Sequence, residues 1–243
     1  MAESKICGLG SFDDLLVARH AGARWGGFVF YPPSPRHISF ETATAIADQA
    51  DTWAEAVADR ERDGLAIKRV ALIVDAEDDI ITKICQSLRP HMVQCHGHET
   101  PQRVADIKTM TGLAVIKSLS VAAPNDIAKA SVYEGVADMV LFDSAPRPNT
   151  NHNALPGGRG ETFNWQWLAG YNGNLPWLLA GGLTPDNVAT AIATSGAKAV
   201  DVSSGVETKP GVKSHPLMQQ FVAAAKQSQA QTPAKTSKQA NAS

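Results

Sequence analysis

Residues 177–205 read WLLAGGLTPDNVATAIATSGAKAVDVSSG. Residues 177–180 are a short apolar run, and Gly181-Gly182 turn the chain out of it. Thr184-Pro185 pairs an N-cap residue with a proline at the first helical position, so a helix is expected over 185–194. A second apolar run, 199–202, then ends in Ser203-Ser204-Gly205. Strand, turn, helix, strand is the pattern of a βαβ unit, whose two strands lie parallel.

The same cadence runs through the rest of the chain. Further strands are expected at 5–7, 26–30, 70–74, 92–95, 114–117 and 139–142, and helices at 12–21, 40–62, 79–88, 101–110, 124–133, 165–169 and 216–226. Eight such units match an α/β chain folded as a (β/α)8 TIM barrel, a single catalytic domain over residues 1–226. An open doubly wound sheet is the competing architecture, but Gly8-Leu9-Gly10-Ser11 does not complete its glycine fingerprint. Residues 227–243 lack large apolar side chains and are expected to be a disordered tail.

Composition narrows the function classes. A formal net charge of −2 gives no broad footprint for nucleic acid or a membrane surface. Three irregularly spaced cysteines, Cys7, Cys85 and Cys95, suggest a reducing compartment rather than a disulfide framework. With no signal-like leader or spanning run legible, a cytoplasmic protein is the expectation.

In a parallel barrel all strand ends open on one face, so the residues closing each run share a pocket. Phosphate is expected on the turns after strands seven and eight, at Gly181, Gly182, Ser203, Ser204 and Gly205, with Asp201 closing the eighth run beside them. Cys7 ends the first strand and is either a small buried hydrophobe or a thiol facing the mouth. Asp143 ends an otherwise apolar strand, where an apolar floor would raise its pKa and favour a protonated acid. Arg36, in the proline-rich stretch after strand two, is either a solvated loop residue or a planar fork for a carboxylate. In Cys95-His96-Gly97-His98 the ligand types crowd too closely for a metal site, which leaves His96 as a pocket wall or hydrogen-bonding residue. Acid–base chemistry on a small phosphorylated molecule follows from this set.

Seven segments together resemble the phosphoribosylanthranilate isomerase family: KICGL at 5–9, GFVFYPPSPRHI at 27–38, VQCHG at 93–97, LFDS at 141–144, GGRGETFNW at 157–165, LAGGLTPDNV at 179–188 and DVSSGVETKPGVK at 201–213. The resemblance implies an Amadori rearrangement of N-(5-phosphoribosyl)anthranilate in tryptophan biosynthesis. It implies Cys7 as general base at ribose C2, Asp143 as general acid at the ring oxygen, Arg36 on the anthranilate carboxylate, and phosphate on turns matching Gly182 and Ser203–Gly205. It further implies no metal or organic cofactor, with the enzyme a monomer or homodimer. Two positions depart from the family pattern: Cys95 replaces an apolar residue and Asn164 replaces an aspartate. The alternatives are a non-catalytic phosphosugar-binding barrel, and a sister barrel such as indole-glycerol-phosphate synthase, for which Lys117 would supply the mouth lysine.

Overall fold

Eight parallel strands pair in sequence order and close into a barrel: β1 (Glu3–Cys7), β2 (Trp25–Phe30), β3 (Lys68–Ile73), β4 (Met92–Cys95), β5 (Ala114–Val121), β6 (Met139–Ser144), β7 (Trp177–Leu179) and β8 (Ala199–Val202). The ring closes where β8 returns to β1, setting Lys5 opposite Asp201. The computed structural model describes residues 1–57, 67–145 and 162–227. The tail beyond Gln227 and the GGRGE run at 157–161 lie outside the described residues.

Strands buried on both faces read as continuous apolar runs, and β2, buried at all six positions, shows why they are legible. β5 runs four residues past its expected end. Beyond Lys117 the sequence alternates Ser118-Leu119-Ser120-Val121, a period-2 strand pattern that apolarity alone misses.

The outer layer departs from the expected eight helices. Helices α1 (Phe12–Ala21), α2 (Phe40–Val57), α3 (Asp78–Leu88) and α4 (Pro101–Thr111) follow the first four strands. The expected extension of α2 to residue 62 falls outside the described residues. After β5 and β6 the chain forms 3₁₀ turns instead, Pro124–Tyr133 and Trp165–Leu168. In the first of these Ile127, Ala130 and Tyr133 recur every third residue, which keeps one face on the barrel at three residues per turn. Asn164 caps the second, its Oδ1 accepting from Gln166 N at 3.0 Å, so the amide does the capping an aspartate would.

Two Thr-Pro pairs behave differently. Thr100 caps α4 as expected, its Oγ1 accepting from Arg103 N at 3.2 Å. Thr184-Pro185 does not start a helix; α5 (Val188–Ser195) begins three residues later. Asn187 accounts for the delay. Its side chain accepts from Thr184 N at 2.8 Å and donates to Gly182 O at 2.9 Å, which ties the segment into a turn. Past β8 an unexpected hairpin, β9 (Glu207–Lys209) and β10 (Val212–Lys213), precedes α6 (His215–Gln227). Among the described residues no helix is long and apolar enough to cross a membrane.

Two apolar layers hold the structure together. One fills the space between strands and helices. The other is a floor inside the barrel, built of Trp25, Val70, Met92, Ile116, Leu141, Leu178, Ala180 and Ala199. Above that floor, toward the carboxyl ends of the strands, the inward positions turn polar: Lys5, Gln94, Ser118, Asp143 and Asp201 are all buried.

Candidate active site

A cavity of about 60 Å³ opens above the floor and is lined by Cys7, Arg36, His96, Asp143, Asp201 and Ser203, with Val29 and Leu72 as its apolar wall. These side chains come from β1, β6, β8 and the segments following β2, β4 and β8, as strand ends in a parallel barrel should. A larger cavity, about 130 Å³, lies against α1 and α2 near Arg19, Trp53, Arg69 and His91, away from the strand ends.

Lys5 and Cys7 are two apart on β1, so they share its inner face. Lys5 is fully buried, and its Nζ donates to Asp201 Oδ1 at 2.9 Å. Gly27 on β2 leaves room for both: a Cβ there would lie 3.0 Å from Cys7 Sγ and 3.1 Å from Lys5 Nζ. Burial alone would push the Lys5 ammonium down, but Asp201 and then Cys7 outweigh it and hold the lysine above its ordinary range. Burial pushes the Cys7 thiol up, against the pull of the Lys5 charge. Cys7 at rest is therefore a buried thiol beside a cation, on the inner face of the barrel and at the wall of the cavity.

Asp143 lies on the same face of the barrel. Burial first, and the Asp201 charge second, push its carboxyl up to about 7, while its Oδ1 accepts from Ser144 N at 2.8 Å. His96 Nε2 stands 3.5 Å from Asp143 Oδ2. Burial, with Lys5 and Lys117 adding to it, pushes the imidazole down to about 3. The pair is thus a contact of a neutral histidine, not an ion pair. Gln94 Nε2 lies 3.0 Å from His96 Nδ1 and 3.1 Å from Ser118 Oγ, which fixes the ring.

The side chains of Cys95, His96 and His98 diverge. Cys95 is buried in the outer core, His98 is exposed and bonded to Asp75, and only His96 enters the cavity. Strand alternation separates side chains that look clustered in sequence. Among the described residues no group of three His, Cys, Asp or Glu side chains is placed to hold a metal.

Of the expected anion-binding residues, Asp201 and Ser203 line the cavity; Gly181, Gly182, Ser204 and Gly205 do not, although they occupy the adjoining turns at the same barrel end. Gly181 and Gly182 both take left-handed backbone conformations, at φ 86° and 61°. Gly205 packs on the Leu183 carbonyl, so the two turns form one surface beside Ser203. Arg36 is no solvated loop residue. Its guanidinium is forked onto Glu207, Nε to Oε1 and Nη2 to Oε2, both at 2.7 Å. Gly8 permits this, since it turns at φ 78° and a Cβ there would lie 2.7 Å from Arg36 Cδ. Glu207 and Lys213 escaped sequence reading because charged residues after a last strand read as solvated. Lys117 does not face the mouth. It lies behind β5, its Nζ held by Glu99 Oε2 and Gly97 O, each at 2.7 Å, which removes the basis for the synthase alternative.

A family model described as N-(5′-phosphoribosyl)anthranilate (PRA) isomerase matches residues 4–224. A protein named N-(5′-phosphoribosyl)anthranilate isomerase from Parvibaculum lavamentivorans is 42% identical over 222 residues, covering 91% of this chain and 97% of that one. Among solved structures, phosphoribosyl anthranilate isomerase from Thermotoga maritima superposes with a TM-score of 0.76 at 32% identity, covering 93% of this chain and 99% of that chain. A structure of such an isomerase with reduced 1-(o-carboxyphenylamino)-1-deoxyribulose 5-phosphate gives a TM-score of 0.73 at 31% identity, with the same coverage.

Proposed function

The chain belongs to the N-(5′-phosphoribosyl)anthranilate isomerase family, and we propose that Cys7 and Asp143 carry its rearrangement as base and acid. The reaction converts N-(5-phosphoribosyl)anthranilate to 1-(2-carboxyphenylamino)-1-deoxyribulose 5-phosphate, a step of tryptophan biosynthesis. Asp143 gives its proton to the furanose ring oxygen, the C1–O bond breaks, and the nitrogen lone pair forms a cationic Schiff base to C1. Cys7 then takes the C2 proton, and the electron pair left behind becomes the C1=C2 bond of an enolamine while the nitrogen returns to neutral. Protonation at C1 and loss of the O2 proton give the ketose. Substrate and product are isomers, so no oxidant or reductant enters.

The observation that supports this order is the single cavity shared by an acid held protonated near neutrality and a thiol beside a buried ammonium. A carboxyl with a pKa of about 7 donates and recovers its proton readily at working pH. The thiol rests protonated, but ring opening places a cation over C2, which adds to Lys5 in favouring a thiolate there. Ser203 and the adjoining turns would take the phosphate, and Arg36 the aryl carboxylate.

Turnover is followed by the decay of substrate fluorescence. Cys7→Ser and Asp143→Asn should each lower kcat by roughly 10²–10⁴-fold, while both still bind the reduced product analogue. Full turnover in either variant would refute that residue's role.

A further inference from the structure

Glu207 is where the site holds more than acid–base chemistry needs. Its carboxylate is nearly buried, 4% exposed, and carries two cations: the Arg36 fork and Lys213 Nζ at 2.7 Å, the lysine side chain fully buried. Lys213 also donates to the Ser203 carbonyl at 3.0 Å, and Gly211 N donates to Glu207 Oε2 at 3.3 Å. The β9–β10 hairpin thus ties the segment bearing Arg36 to the turn bearing Ser203.

The atoms used on Arg36 matter. A guanidinium has five N–H groups in a planar fork. Nε and Nη2 together form its side edge, and Glu207 occupies that edge. The end edge, Nη1 with the second N–H of Nη2, has no side-chain partner among the described residues, and the residue lines the cavity. Two cations against one carboxylate leave a net charge of +1 in a poorly solvated place. A bridge that served only to staple the hairpin would need one cation, and the surplus would be a desolvation cost with no return. An incoming carboxylate neutralises it.

We propose that Glu207, backed by Lys213, is a positioning residue that aims the free end edge of Arg36 at the aryl carboxylate, and so makes the site prefer an anthranilate-bearing sugar phosphate to its anilino counterpart. This rests on the reading of Arg36 given under Proposed function. Because the guanidinium is already fixed on one edge, little rotamer entropy remains to be lost when the second edge is used.

The test compares inhibition constants of two probes, the reduced product analogue and the same compound with phenyl in place of 2-carboxyphenyl. In Glu207→Gln the preference for the carboxylated probe should fall by about tenfold or more, the loss of one charge-assisted contact. Affinity for the phenyl probe should change by less than about twofold, and KM should rise with kcat changing far less. If leaving Lys213 without its counter-charge prevents folding, the double variant Glu207→Gln with Lys213→Met removes both charges and should show the same loss of preference. An unchanged preference, or parallel weakening of both probes, overturns the proposal. Turnover by the unmodified enzyme reports separately on the parent reading: an inactive chain that still prefers the carboxylated probe refutes the isomerase assignment and leaves the role of Glu207 standing.

Discussion

Two clusters of the same three groups, a thiol, a lysine and a carboxylate, stand on opposite faces of the barrel wall. Inside are Cys7, Lys5 and Asp201; outside are Cys95, Lys117 and Glu99. Both ion pairs are buried and short, 2.9 Å inside and 2.7 Å outside. Their surroundings differ. Lys5 is buried beside Cys7 and Asp201, which line a cavity together with Asp143 and His96. Lys117 is closed in by Glu99, the Gly97 carbonyl and the Tyr133 ring, 5.9 Å from its Nζ, and joins β5 to the segment after β4. Burial, with Glu99 adding to it, pushes the Cys95 thiol up to about 12, so at neutral pH it is an inert hydrophobe. The chemical groups do not decide which cluster adjoins the cavity and which is sealed in the outer core. The face of the strand does.

The sharpest way to break the contrast is to remove one thiol at a time. Cys7→Ser should lose roughly 10²–10⁴-fold in kcat with its melting temperature little changed. If Cys95→Ser were the variant that lost turnover, the two faces would have been misjudged. The lysines should separate the other way. Lys117→Met leaves Glu99 buried without its partner and should destabilise the fold by about 3–5 kcal/mol, read by urea unfolding, while the folded fraction keeps its KM.

Asp143 offers a test in pH. Its folded pKa of about 7 lies above the unfolded value near 3.9. The unfolded state therefore holds fewer protons across that window, and its stability contribution falls as pH rises from about 4 to about 7. Asp143→Asn should match the unmodified protein near pH 4 and exceed it at pH 8, by about 2–4 kcal/mol. Equal unfolding free energies at pH 8 would show that the carboxyl is not held protonated. The smallest effect belongs to the outer thiol. Cys95→Val should cost under about 1.5 kcal/mol and leave kcat within twofold.

Much of this was legible in the chain. Strand positions follow from apolar runs buried on both faces, and Cys7, Asp143, Asp201 and Ser203 were found because each closes such a run. Other features were not. Thr184-Pro185 carries the same start signal as Thr100-Pro101, yet the Asn187 side chain diverts it into a turn. The helical pattern at 124–133 left its period of three unread. Arg36 was identified as a fork, but Glu207, far along the chain, occupies one edge of it.

The amino-acid sequence by itself determined the parallel barrel and the strand ends that meet at its mouth, because hydrophobic periodicity and turn chemistry are local and act before any distant contact forms. Only the tertiary structure decided which lysine lies beside Cys7, how far the Asp143 pKa rises, and which edge of Arg36 Glu207 occupies. Those depend on burial and on charges brought together by closure of the ring, and no pattern along the chain records either.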